Sequence, residues 1–164
     1  MKNIAIGILI IILTSIIIEP MVETVNILRE RVILTSALTN SFRAAKDRSI
    51  EEDSRRDLHA SVDEELFIEY FCEAFEDAMN LSLSSIHGNE IIFVCENENY
   101  NDFNITVKID EYEDDITGQI VSEVNLKAAS IYNFKTKYLN LAENSLSSDY
   151  MLTGERTFLL FVRN

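Results

Sequence analysis

Residues 4–18 read IAIGILIIILTSIII and determine how the rest of the chain is arranged. This run has no charged residue, and only Gly7, Thr14 and Ser15 lie outside the apolar class. A helix of this length covers ~22 Å of a hydrocarbon core that is about 30 Å thick, so its flanks must help it to span. Lys2 can extend to the headgroups, and apolar residues continue past Glu19 to Val22. We predict a transmembrane anchor at residues 1–22 that contacts the lipid bilayer through residues 4–22.

A cleaved signal peptide and a buried core helix are the two other interpretations of this run. A signal peptide needs small residues at its cleavage site, but the end of the run and the residues after it read Ile16-Ile17-Ile18-Glu19-Pro20-Met21. A core helix has a polar side, whereas this run is apolar around its whole circumference. The positive charge of Lys2 before the span favours an N-terminus inside and a C-terminal part outside the membrane.

The charge distribution predicts one acidic domain at residues 59–164 on the extracytoplasmic side. The chain has 28 acidic and 14 basic residues, which gives a net charge of −14. All of this excess lies in residues 58–164, which hold 20 acidic and 6 basic residues. Such a surface repels nucleic acid, so we expect no nucleic-acid partner.

Residues 23–58 are predicted to form an amphipathic helix and a charged connection. Apolar residues at steps of three and four predict one buried helix face, and charged residues predict the opposite, solvated face. Pro20 is expected to kink the helix where the anchor ends. The predicted buried face comprises Val25, Leu28, Val32, Thr35, Thr39 and Phe42, flanked by Ile27, Leu34, Leu38 and Ala45, and the solvated face Arg29, Glu30, Arg31, Asn40, Arg43 and Lys46.

The remaining residues predict a second helix followed by a small antiparallel sheet. Ser61-Val62-Asp63-Glu64 has the pattern of a capping box with Ser61 as the cap, and an aromatic-rich apolar stripe follows it to Met79. Residues 80–89 are interpreted as turn, and residues after 90 alternate between apolar and polar as strands do. The fold class is therefore α+β: a long N-terminal helix, a second helix and three to five strands. The predicted strands are 91–95, 103–109, 119–134 as one strand or two, and 157–162.

No residue pattern indicates catalysis, a metal or a cofactor. His59 and His87 both lie in polar connecting segments, and no phosphate-binding loop or nucleophile motif is present. The acidic row on the second helix and the acidic segment 110–115 are interpreted as solvated surface. Cys72 and Cys95 are expected to meet where the helix packs on the sheet, either as a disulfide or as two buried free thiols.

The order of these parts resembles type IV pilins, and above all the TadE-like pseudopilins of tight-adherence systems. The likeness lies in the charged start, the apolar helix with Pro20, the continuation SALTNSFRAAKDRS, and a sheet domain containing Tyr132 and Phe134. Glu19 resembles the Glu that closes the TadE-like span. The chain departs from the processing signal of these families, because Ile12 stands five positions after Gly7 where a Glu is expected.

The resemblance implies a non-enzymatic subunit that self-associates or binds related subunits in a surface filament or its membrane-bound initiating complex. Helix packing would then use Ile8, Ile11, Ile12 and Ile18, with Glu19 and Pro20 at the end of the span. We expect Glu19→Ala to reduce assembly while the outer domain stays folded. The two alternatives are a membrane-anchored binding or sensor domain and a membrane-anchored enzyme.

Overall fold

The structure is a computed structural model that describes residues 2–50, 62–95, 101–113, 115, 118–137, 139–141 and 150–160. Two helices precede a five-stranded antiparallel sheet, which confirms the predicted α+β class. The element bounds are α1 Lys2–Ser49, α2 Glu64–Met79, β1 Ser82–His87, β2 Glu90–Val94, β3 Phe103–Glu113, β4 Ile120–Tyr132 and β5 Tyr150–Leu160.

Helix α1 is a single helix of 48 residues that continues through Pro20. Pro20 has no N–H to donate to the carbonyl four residues earlier, but its own carbonyl accepts a 2.8 Å hydrogen bond from the Thr24 hydroxyl. The N-terminal part includes an 18-residue window with a mean hydropathy of 2.5 that is not buried by the rest of the chain. It is therefore a candidate membrane span, long and apolar enough to cross a bilayer.

The N-cap of helix α2 lies two residues after the predicted cap. Its N-cap is Asp63, whose side chain accepts a 3.0 Å hydrogen bond from the Leu66 amide, whereas Ser61 lies outside the described residues. An aspartate is as good a cap as a serine, and it also places negative charge at the positive end of the helix dipole. The Asp63 amide donates to the Ser49 carbonyl at 3.1 Å, and Ile50 pairs with Val62, so the end of α1 and the start of α2 lie side by side.

The sheet is an antiparallel meander in the order β1-β2-β3-β4-β5. Strand β1 occupies residues that were predicted to be turn, and Gly88, at φ +58°, lies in the connection to β2. Strand β4 has no break at Ala128, and β5 begins at Tyr150, seven residues before its predicted start, while residues 161 and 162 lie outside the described chain. The sequence signal for β1 is weak because SLSSIH contains three serines, which pair well with a neighbouring strand but show little apolar alternation.

The core lies between one face of the sheet and the two helices. Alternate residues of β4 are buried from Ser122 to Tyr132, as expected of a strand with one covered face. Five phenylalanines with no exposed surface fill the layer between α2 and the first strands: Phe67, Phe71, Phe75, Phe93 and Phe103.

Helix α1 packs on β5 through a close contact at Gly154. A Cβ atom at this position would lie 3.2 Å from Leu34 and 3.4 Å from Leu38, both of which are fully buried. Further along α1, the Phe42 ring stacks on Phe158 with 3.8 Å between ring centroids. These contacts fix the second half of α1 against the sheet.

Candidate functional site

The carboxylate of Glu23 joins α1 to the end of β4. Only 1% of Glu23 is exposed, and its Oε1 atom accepts hydrogen bonds from the Tyr132 hydroxyl at 2.6 Å and the Lys135 amide at 3.2 Å. Its Oε2 atom accepts a third hydrogen bond from the Thr136 amide at 2.8 Å. A buried carboxylate is costly unless its oxygens are satisfied, and three donors converge on this one. We call this arrangement the Glu23 clasp.

The clasp favours the ionised form of Glu23. Burial alone would raise the pKa of the carboxyl, but the hydrogen bonds from Tyr132, Lys135 and Thr136 outweigh burial and lower the pKa below its ordinary value of 4.5. Two of the three donors are the backbone amides of Lys135 and Thr136. Glu23 thus places a negative charge directly after the candidate membrane span at neutral pH.

A second carboxylate strengthens the same junction about two helical turns further along α1. Glu30 is 7% exposed, and its Oε1 atom lies 2.6 Å from the Lys135 ammonium. The Tyr132 ring contacts the rings of Phe134 and Tyr150 at near-perpendicular angles, so the phenol that binds Glu23 is held by packing as well. The segment after β4 is therefore tied to α1 at two points.

The sequence analysis missed this site because neither glutamate was expected to be buried. Glu30 was placed on the solvated face of the helix, and Glu23 was given no role. The available signal was positional: Glu23, Glu30 and the buried Leu34 recur at seven and four residues, the spacing of one helix face. Only the tertiary structure shows that Tyr132 and the amides after it lie opposite that face.

The predicted buried face of α1 is right in the second half of the helix, where Leu34, Leu38, Phe42 and Ala45 are buried, and wrong for Val25, Leu28 and Val32, which lie on the other side of the helix. Val25, Leu28 and Val32 are 64%, 56% and 63% exposed. With 3.6 residues per turn, these residues and Met21 lie about 140–200° around the helix axis from Glu23, whereas Glu30, Leu34 and Ala37 lie within about 40° of it. We call Met21, Val25, Leu28 and Val32 the outer stripe. The prediction failed because the sheet covers the side of α1 that carries the clasp.

The isoleucines predicted for helix packing are all open to contact. Ile8, Ile11, Ile12 and Ile18 are between 51% and 67% exposed, and no other described element covers them. Glu19 is half-buried and, with Pro20, lines a crevice of about 540 Å³ that extends along α1 to Ile12 and is also lined by Leu139. Glu19 therefore lies on the side of α1 that faces the domain.

Cys72 and Cys95, the pair offered as a disulfide or as two thiols, are not joined in a disulfide. Cys72 is buried on α2, and burial together with the nearby Glu76 carboxylate raises the pKa of its thiol to about 12. Cys95 follows β2 and is half-buried. Among the described residues, no group of three His, Cys, Asp or Glu side chains is arranged to hold a metal ion.

Comparison of the chain with protein-family models, with curated proteins and with solved structures found no match in any of the three.

Proposed function

We propose that this chain is a non-enzymatic, pilin-like or pseudopilin-like subunit that is anchored by α1 and acts by assembly with copies of itself or with related subunits. The observation that carries the proposal is the outer stripe. It continues the apolar surface of the candidate span beyond the membrane for about three turns, on the side of α1 that the sheet domain leaves open.

The stripe provides the driving force for helix association outside the lipid. Full burial of a Val or Leu side chain contributes about 1.5–3 kcal/mol. Val25, Leu28 and Val32 of the stripe are each more than half exposed. Inside the lipid the driving force is weaker, because lipid tails are as apolar as the isoleucines, and packing shape then decides the contact. We therefore place the main contribution at Met21 to Val32 rather than at Ile8 to Ile18.

The Glu23 clasp supports the proposal by making α1 and the sheet domain one body. A subunit that is to repeat in a defined order needs a fixed angle between its packing helix and its outer domain. The hydrogen bonds to Glu23 and the ion pair between Glu30 and Lys135 hold that angle on one side of α1, so the outer stripe stays free on the other side.

The experiment is energy transfer between donor-labelled and acceptor-labelled copies of the full chain in lipid vesicles at a fixed protein-to-lipid ratio. We expect transfer above that of a monomeric single-span control, and a loss of most of it in Val25→Glu/Leu28→Glu. The matched control is Met151→Glu/Leu159→Glu, which adds the same charges at residues of similar exposure on β5. Transfer that is equal in both double variants would rule out the stripe as the contact.

The alternative of an anchored binding domain rests on the solvent face of the sheet. A shallow cleft of about 330 Å³ lies there, lined by Asn104, Thr106, Lys127 and Met151 among others. Polar side chains of β3 and β4 around one lysine suit a small polar ligand. Substituting Lys127 by Ala would remove such binding and leave self-association unchanged, which distinguishes the two functions.

A further inference from the structure

The chain after the Glu23 clasp turns back along α1 toward the candidate span. The amides of Lys135 and Thr136 are bonded to Glu23, and a turn follows in which the Asn140 amide donates to the Thr136 carbonyl at 3.0 Å. Leu139 lines one crevice together with Ile12, Ser15, Ile16, Glu19 and Pro20. A side chain from the outer domain thus lies at the level of residues within the apolar run itself.

The position of Leu139 relative to a bilayer follows from the length of the span. Residues 4–22 make a helix of ~28 Å, which is just enough for a hydrocarbon core of about 30 Å. The hydrocarbon core must therefore cover all of residues 4–22, and Ile16 lies within it. Because Ile16 lies ~9 Å along the axis from Val22, a group packed beside it is at the depth of the outer acyl chains or their boundary with the headgroups.

The chemistry of the segment suits that depth. Leu141 is 55% exposed, and Leu139 is partly exposed, although both lie on an acidic protein. Lys137 is exposed between the clasp and these leucines, and a lysine at this level can direct its ammonium to lipid phosphates. Apolar side chains flanked by a lysine are typical of a segment that rests in the interface of a membrane.

We propose that Lys137 and residues 139–141 form a second membrane contact, with the two leucines inserted in the outer leaflet beside α1. A single helix leaves the outer domain free to tilt, whereas a helix and a second contact determine how the domain stands on the membrane. The Glu23 clasp connects the span of α1 to the segment that carries the two leucines. It therefore fixes the distance between the two membrane contacts. This inference requires the membrane anchor but does not depend on self-association.

The test uses the full chain with Cys72→Ala and Cys95→Ala, in phosphatidylcholine nanodiscs that contain spin-labelled lipid. A polarity-sensitive fluorophore is attached at Leu141→Cys or, as the matched control, at Leu159→Cys, since both leucines are 55% exposed. We expect strong quenching and a blue-shifted emission at 141, as for a label at Ile12→Cys, and neither at 159. Equal quenching at 141 and 159 would overturn the proposal.

A second measurement avoids both cysteine substitution and labelling. The natural chain is illuminated in nanodiscs that contain a phosphatidylcholine with a photoreactive group near the top of its acyl chain, and the adducts are mapped by mass spectrometry. We expect lipid adducts on residues 137–141 and none on 150–160. Protein-protein cross-links at 139–141 without lipid adducts would mean that another copy, rather than lipid, covers these leucines, and would also overturn the proposal.

Discussion

The hydroxyl of Tyr132, at the end of β4, donates a 2.6 Å hydrogen bond to the Glu23 carboxylate of α1, although 109 residues separate the two in the chain. This bond joins the last residue of β4 to the first turn of α1 beyond the candidate span. It explains how a domain that packs on only one side of a long helix keeps a defined position on it.

The first prediction concerns the energy of the Glu23 clasp. Replacing Glu23 by Gln removes the charge and turns a donor toward backbone amides, so we expect a loss of about 1.5–3 kcal/mol in the free energy of unfolding. Tyr132→Phe should cost about 1–2 kcal/mol, and the double variant less than the sum. Urea unfolding of the full chain in micelles, followed by tyrosine fluorescence, measures these values. Glu69→Gln, an exposed change on α2, is the control.

The second prediction concerns the part of the pH dependence of folding stability that is due to Glu23. Because the pKa of Glu23 is lower in the folded chain than its ordinary value of 4.5, its stabilisation is complete above that value and is lost as the pH falls through the folded pKa. The stability difference between the natural chain and Glu23→Gln should therefore be constant near pH 7 and decrease toward zero below pH 4.5. A difference that does not change with pH would contradict an ionised clasp.

The third prediction concerns the contact between α1 and β5. Gly154→Val would place side-chain atoms against Leu34 and Leu38. A Cβ alone would lie 3.2 Å from Leu34 and 3.4 Å from Leu38. We expect a loss of about 1–3 kcal/mol in stability, because overpacking forces the helix away from the strand. Thr153→Val, on the opposite face of the same strand, should be neutral or slightly stabilising. An equal effect of both substitutions would show that α1 does not pack there.

The fourth prediction concerns the two cysteines. Cys72 is buried, and its thiol pKa of about 12 leaves little thiolate at pH 8. Iodoacetamide should therefore modify the native chain once, at Cys95, and modify Cys72 only after unfolding. Peptide mass mapping measures both sites. A chain that takes up no label until reductant is added would contain the disulfide instead.

The sequence predicted the elements better than it predicted their contacts. The apolar run 4–18, the aromatic stripe of α2 and the alternation in β3 each follow from local periodicity, and all three elements are present. The direction in which α1 faces the sheet does not follow from periodicity, because the helix has two candidate faces. The face with Leu34 and two glutamates is buried, since Tyr132 and Lys135 satisfy the carboxylates, and the face with Val25, Leu28 and Val32 is left exposed. A pairing between residues 109 positions apart leaves no local signal.

The most direct test of the account is disulfide cross-linking of single cysteines on α1 in membranes, in a chain with Cys72→Ala and Cys95→Ala. Cysteines at Val25, Leu28 and Val32 lie on the outer stripe, and cysteines at Asn26 and Ile33 are neighbours that lie off it. If copies assemble through the stripe, the first three form dimers under mild oxidation and the last two do not. Dimers at all five positions, or at none, would contradict assembly through this face of α1.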